Sequence, residues 1–402
     1  MAEFRSRGQI SEFCVVHALM ADPLAHHPWG LPPWKIDFHP PNAALPESVD
    51  VAVVGGGFSG LTTAAWLRRI SPETSVALFE ASQIGAGASG RTGGLALAES
   101  AAGDLSGLGD VLTGVSDVLD TLEVQCALEL SGAWEIARGE SADQAVATRR
   151  LKSPIEWNDS GALRVVNEVP GGTVDPGKLV SGLARAGHRL GAHIFERQPV
   201  QAVEWRPSPV LKLTGGSVRA GKVVVATSAL SLNLSGIDGA AQPRLTLAVA
   251  TRPMSEEDLT AAGFGDRKAF YTADLPYLWG RLCSDNAIVF GAGLMSPPAS
   301  GDLSELNVAS SEAAQMFASL ERRVRGLHSV FASTSFTHRW GGPISFREEW
   351  SPVFSRHPKS NDGIVLGAYA GHGVALSVHL GAWAAEAVLG RRALPDWGQL
   401  DT

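Results

Sequence analysis

Three glycines and one acid carry the first chemical signal in the chain. Val51-Ala52-Val53-Val54 runs into Gly55-x-Gly57-Phe58-Ser59-Gly60, and a second apolar run, Val76 to Phe79, ends on Glu80-Ala81, twenty residues beyond Gly60. Each residue type has a physical task. Gly55 permits a tight turn, Gly57 lets backbone approach a pyrophosphate, and Gly60 lets a helix pack close to a strand. The helix N-terminus offers N–H groups and a positive dipole end to phosphate. Glu80 suits ribose hydroxyls, which favours FAD or NAD over a 2′-phosphorylated cofactor. A glycine-rich turn alone is a weak signal; here strand, turn, helix, strand and acid occur in order.

Two further stretches have ligand-binding texture. Ser82 to Gly94 includes Ser89-Gly90-Arg91-Thr92-Gly93-Gly94, small residues that let backbone approach a flat or anionic group, with Arg91 as a permanent cation. Near the C-terminus, Ile364 to Ala368 reads as a strand that runs into Gly371-His372-Gly373-Val374-Ala375 and an apolar helix over Val374 to Leu389. Strand, glycine turn and helix start make a second place for an anionic or electron-rich group.

These motifs need a frame. The βαβ unit occupies 47–80. Apolar spacing predicts helix over 101–150, with Trp134 and Ile136 continuing the pattern. Short strands follow over 154–169, punctuated by a Pro170-Gly171-Gly172 turn. Asp175-Pro176 is a good N-cap and first turn for a helix over 177–190. Strands follow at 191–196, 199–205 and 220–228, where Ala226-Thr227-Ser228 closes a buried run; strand texture dominates 243–336, with a helix near 312–327. Residues 1–46 interleave Pro with Trp29 and Trp34 and read as an extended arm anchored by the two tryptophans; the His26-His27 pair reads as a surface turn rather than a metal site.

At 402 residues two domains are expected. With 45% hydrophobic and 18% charged residues, a net charge of −8 and no basic block, nucleic acid is not the expected partner. Cys14, Cys126 and Cys283 are scattered, which excludes a disulfide framework and suits a cytoplasmic protein. No apolar run reaches the length of a membrane span, and Met1 to Met20 is not read as a signal peptide. No metal site is expected.

Taken together, Gly55 to Gly60, Glu80, Gly87 to Gly94, Asp175-Pro176, Val200, Val223 to Thr227, Trp340-Gly341-Gly342 and Ala370 to Val374 resemble the D-amino-acid-oxidase-like FAD oxidoreductases, especially the branch of glycine and sarcosine oxidase relatives that includes γ-glutamylputrescine oxidase-like proteins. The resemblance covers roughly residues 45 to 392. It implies an α/β (α+β) fold: a Rossmann-like FAD-binding domain of the glutathione-reductase type plus a sheet-rich substrate domain. The expected division is an arm (1–46), a discontinuous FAD domain (47–100, 171–242 and 337–402) and a substrate domain (101–170 and 243–336). Gly55, Gly57, Phe58, Ser59 and Gly60 would hold the pyrophosphate, and Glu80-Ala81 the ribose. Ser89, Gly90, Arg91, Thr92, Gly93 and Gly94 would follow pyrophosphate and flavin, with Ala226 and Thr227 closing the cradle. Val200 would meet adenine through its backbone, and Gly371, His372, Gly373, Val374 and Ala375 the pyrimidine edge.

The implied activity is oxidation of an amine or amino-acid C–N bond by hydride transfer to flavin N5, giving an imine that hydrolyses, with O2 or another electron acceptor closing the cycle. Tyr277, Trp279, Arg281, Arg339, Trp340 and His372 are the substrate-side candidates: rings can cage an amine and an arginine can clamp a carboxylate. Trp279 and Trp340 equally suit a core, and Arg281 and Arg339 equally suit solvent. The chain departs from the family pattern at Ser228 and at Phe346 to Pro352, where many relatives have Thr-x-Asp, and Tyr277 to Met295 holds no lysine. With no Cys after Gly341 and no His between Gly85 and Gly94, FAD is expected to be non-covalent. Three other readings stay open: a flavin hydroxylase, a non-catalytic FAD-binding subunit and a plain NAD dehydrogenase. The amine, the acceptor and the oligomeric state are open.

Overall fold

A computed structural model describes residues 27–138 and 153–400. The expectations that fall on Met1–Met20 with Cys14, on His26 and on a helix through 139–150 lie outside these residues.

The Ser48–Val54 strand is the axis of the first sheet. Its buried β-branched residues pair in parallel with Gly216–Val225 on one side and Val76–Phe79 on the other, in the register Val54↔Val225 and Val54↔Phe79. The sheet runs Val353–His357, Ser360–Gly367, Gly216–Val225, Ser48–Val54, Val76–Phe79, His193–Phe195, and a meander of Val200–Glu204 and Val210–Leu213 joins at Gly216–Val225. Gly55 leaves the central strand at φ +109°, a region closed to most side chains, and turns the chain into the Phe58–Ile70 helix. A Cβ at Gly60 would stand 2.0 Å from the Gly55 carbonyl, so only glycine lets this helix sit on its strand.

Two helices pack on Phe58–Ile70. Gly373–Val388, almost wholly buried, lies so close that Thr63 Oγ1 donates to the Gly381 carbonyl at 2.9 Å. Pro176–Arg189 starts where expected: the Asp175 carboxylate accepts from the Lys178 amide at 2.9 Å.

The second sheet runs Phe336–Phe346, Gln242–Thr251, Ile288–Met295, Trp279–Leu282, Ala269–Thr272, Ala133–Arg138, Ala162–Val169, Trp157–Asn158. Behind it the Ser311–Leu327 helix closes an aromatic core in which Trp157 meets Phe270 edge-on at 4.8 Å.

The structure corrects several expectations. Trp134 and Ile136 lie in a strand, not a helix, because their alternation buries them against Ala269–Thr272. Within 101–138 the described helix is Val111–Thr121; its apolar side joins the first core, beside Gly373–Val388, rather than the second sheet. Gly171-Gly172 belong to a short strand, Gly171–Thr173, paired with Leu95–Leu97, not to a turn. Phe336–Phe346, which carries Trp340 and was expected with the dinucleotide segment, is an edge strand of the second sheet.

The arm is fastened across both sheets. Trp29 is buried, its indole N–H donates to the Leu303 carbonyl at 3.2 Å, and its carbonyl accepts from the Gly341 amide at 2.7 Å. Further along the arm, the Asp37 amide donates to Ser181 Oγ at 3.0 Å on the Pro176–Arg189 helix.

Candidate active site

A single cavity of about 490 Å³ runs from the glycine turn of the first sheet to the face of the second. Its size and largely apolar wall are those of a small-molecule site. One end is the cradle anticipated from the motifs: Gly55, Gly57, Phe58 and Ser59, then Glu80 and Ala81, then Ser89, Arg91, Thr92 and Gly93, with Val200, Ala226 and Thr227 opposite. Gly371, His372, Gly373 and Val374 line the same cavity from the C-terminal turn, and Tyr277, Trp279 and Trp340 from the second sheet.

Other expected residues stand behind the wall. Gly60 and Ala375 are packed inside their helices. Gly90 donates its amide to the Gly85 carbonyl and shapes the loop from outside the cavity, and the Gly94 carbonyl accepts from the Val174 amide. Arg281 is 5% exposed; its guanidinium donates to the Gly93 and Leu282 carbonyls and lies over the Trp34 ring, so it braces the loop from outside the cavity wall. Arg339 is paired with Glu321 outside the cavity. Trp340 is fully buried and its indole N–H is taken by the Arg91 carbonyl at 2.9 Å, so it is wall rather than cage.

Local bonds set the cradle. The Ser89 hydroxyl accepts from the Phe58 amide at 2.8 Å, tying the second glycine loop to the helix start. Glu80 accepts from the Gly56 amide at 2.8 Å and the Ser82 amide at 2.9 Å; burial raises its pKa above the ordinary carboxylate value, against those bonds. Arg91 is buried and has no carboxylate partner among the described residues. It donates to the carbonyls of Ala86 at 2.9 Å and Gly30 at 2.6 Å, and burial pulls its pKa down to about 10.

At the other end, the Tyr277 hydroxyl donates to the Gly293 carbonyl at 3.0 Å, so the Thr246 hydroxyl 3.2 Å away is the donor to Tyr277. Tyr369, missed in the sequence, lines the cavity and shares a 2.6 Å hydrogen bond with Ser59. It sits between Ala368 and Ala370, both in the left-handed region at φ +53° and +52°, a strained turn of the kind found at ligand sites. Burial lowers the pKa of His372; its Nδ1 lies 3.4 Å from the Ala370 carbonyl, which assigns the proton to Nδ1 and leaves Nε2 as an acceptor. Tyr271, also missed, carries a phenol whose pKa is raised by burial, then by Glu135 and Glu99. The alternation around Phe270–Thr272 was the signal that could have found it.

The cradle fits a flavin dinucleotide on its own chemistry. The Thr227 hydroxyl is buried in the cavity wall with no hydrogen-bond partner, the Gly57 N-cap gives the first helical turn no side-chain cap, and Glu80 waits where a ribose is expected. Among the described residues no group of three or more His, Cys, Asp or Glu is placed to hold a metal, and no helix is long and apolar enough to cross a membrane.

Comparison with known proteins agrees with that geometry. The probable oxidoreductase OrdL of Haemophilus influenzae is 24% identical over 391 residues, covering 88% of this chain and 86% of its own length. The γ-glutamylputrescine oxidoreductase of Escherichia coli is 26% identical over 302 residues, covering 63% and 67%. The crystal structure of glycine oxidase from Geobacillus kaustophilus superposes with a TM-score of 0.69 at 21% identity, over 87% of this chain and 97% of that one. The model of the FAD dependent oxidoreductase (DAO) family matches residues 50–387, most of the chain. This chain therefore belongs to the DAO family of FAD-dependent oxidoreductases.

Proposed function

We propose that this enzyme oxidises the carbon–nitrogen bond of an amine or amino acid to an imine, which water then hydrolyses. The observation that carries the reading is the continuity of one cavity between the dinucleotide cradle and the aromatic chamber under Tyr277 and Trp279. FAD, held non-covalently, supplies a two-electron acceptor there.

The chain's own residues do the rest. Gly55 to Ser59 and the helix that follows would hold the pyrophosphate, the Glu80 carboxylate would accept from ribose hydroxyls beside the Gly56 and Ser82 amides, and the backbone of Val200 would border the adenine. The Gly371–Val374 helix start favours negative charge beside it. Tyr277, Trp279 and Leu278 orient the substrate and exclude water. His372, kept neutral by burial, can offer its Nε2 as a hydrogen-bond acceptor to the bound amine. Cys126 and Cys283 are free thiols, consistent with the reducing cytoplasm as the working compartment.

The test is the visible spectrum of the purified holoprotein, titrated without oxygen with amines and amino acids. Bleaching of the flavin band by one of them supports the reading, and readmitting air shows whether O2 is the acceptor. A flavin that stays oxidised with every amine overturns it.

A further inference from the structure

We infer that the chamber is built for an amine with an aromatic or branched apolar body and no carboxylate on the carbon that bears the nitrogen. This rests on the amine-oxidising reading and narrows its substrate.

The first ground is the shortage of cations. Among the described residues that line the cavity the only lysine or arginine is Arg91, and its guanidinium is bound to the Ala86 and Gly30 carbonyls of the loop and arm. Arg281 and Arg339 are committed elsewhere, to Gly93 and Glu321. Arg244 lies over the Phe346 ring and donates to Pro243 and Gln242, outside the wall. A substrate carboxylate entering this chamber would lose its water and find no free fork among the described residues to meet it.

The second ground is the sign of the field. Tyr271 lines the chamber, its hydroxyl is 3.4 Å from Glu99 Oε1, and Glu135 is its register partner on the next strand, on the same face of the sheet. Neither Glu99 nor Glu135 has an ion-pair partner among the described residues. Two carboxylates beside one wall attract an ammonium and repel an anion.

The third ground is the mouth. Four large apolar side chains are exposed among the described residues, Leu130, Leu275, Leu294 and Trp350, and the last three also line the cavity. Trp350, 50% exposed, stacks on Phe346 with ring centroids 5.2 Å apart and planes 7° from parallel. An aromatic pad at the entrance of an apolar chamber rewards an apolar body.

The experiment uses the FAD-loaded protein and ligands that share one body: 2-phenylethylamine, both enantiomers of phenylalanine, and 3-phenylpropionate. Dissociation constants come from the perturbation of the oxidised flavin band and, independently, from calorimetry. The expected result is 2-phenylethylamine binding about tenfold or more tighter than any of the carboxylates. Glu99→Gln should weaken the amine several-fold while leaving phenylalanine unchanged or slightly tighter, and Trp350→Ala should weaken 2-phenylethylamine more than ethylamine. Either enantiomer of phenylalanine binding as tightly as the amine overturns the inference, and so does the failure of all four to bind. Reduction of the flavin is read separately: an amine that binds as expected and never bleaches it sinks the oxidase reading alone, whereas phenylalanine that binds tighter and bleaches it sinks only the narrowing.

Discussion

The Trp34 indole nitrogen donates to the Gly90 carbonyl at 2.7 Å, and its ring meets Trp340 edge-on at 5.5 Å. One side chain of the arm thus joins the loop that carries Arg91 to the edge strand of the second sheet. Removing it should loosen the cofactor before it unfolds the protein. Trp34→Ala gives up a hydrogen bond of about 1 kcal/mol and the ring contact, so the FAD dissociation constant should rise roughly tenfold or more. Trp34→Phe, which keeps a ring, should fall between. Released flavin fluorescence after dilution measures both; an unchanged constant in Trp34→Ala would show the arm to be a bystander.

Glu80 is predicted to trade apoprotein stability for cofactor affinity. Its folded pKa is raised, chiefly by burial, so its contribution to stability is fully present below the unfolded carboxylate pKa and is lost as pH rises through the folded value. Glu80→Gln removes the titration but sets an amide NH2 against one of the two backbone donors. The FAD-free variant should therefore show a flatter pH dependence of melting above pH 5, while its FAD affinity drops by about 10- to 100-fold, as expected for a charged hydrogen bond. A variant with the wild-type pH dependence and normal FAD binding would contradict both halves.

Asp159 should govern the chamber from behind. Its Oδ2 accepts from both Arg138 and Arg323, and these arginines also donate to carbonyls of the Leu275–Tyr277 loop: Arg138 to Leu275 at 3.3 Å, Arg323 to Tyr277 at 2.9 Å and to Pro276 at 2.6 Å. Burial acts to raise the Asp159 pKa, yet the arginine hydrogen bonds outweigh it and hold it low, so this stability is present at neutral pH and is lost on acidification. Asp159→Asn takes the carboxylate from the largely buried Arg323 guanidinium, while Arg138 keeps Asp274, and should cost on the order of 3 kcal/mol. Calorimetric melting checks it, and a Michaelis constant raised more than the turnover number is lowered would show that the loop carrying Leu275 and Tyr277 has moved.

His27 makes the arm acid-sensitive. Its Nδ1 accepts from the Trp29 amide at 3.1 Å, and burial together with Arg91 lowers its pKa to about 4. A depressed base stabilises the fold above its unfolded pKa, and that stability is lost as pH falls from about 6.5 towards 4. FAD retention should weaken over the same window. His27→Asn keeps an acceptor for Trp29 without the titration, so its melting temperature and flavin retention should fall less between pH 7.5 and 5. An equal fall in both proteins would assign the acid sensitivity to other groups.

The βαβ unit was legible in the sequence because each of its parts acts locally: strand, turn, helix start and acid are neighbours in the chain, and Asp175 capped its helix for the same reason. What was not legible depended on distant pairing. Trp279 and Arg281 are two residues apart on one strand, yet Trp279 reaches the cavity while Arg281 ends behind Gly93, a contact across 188 residues that spacing does not encode. Trp134 and Ile136 alternate with period two, which the apolar run before them obscured. Phe346 and Trp350 drew notice only as a departure from a motif, and the stack they form needed the left-handed turn at Trp350, φ +61°.

The arm also sets an order of events during synthesis. The partners that fasten Trp29 lie far along the chain, at Leu303, 274 residues on, and at Gly341. Trp34 and Gly30 meet the Arg91 loop within 61 residues of chain, whereas Trp29 cannot be fastened, nor the first sheet and its buried C-terminal helix completed, until Leu303, Gly341 and residues 360–388 have been made. The finished cradle therefore waits on the C-terminal part of the chain, although its glycine motif is among the first segments to be synthesised.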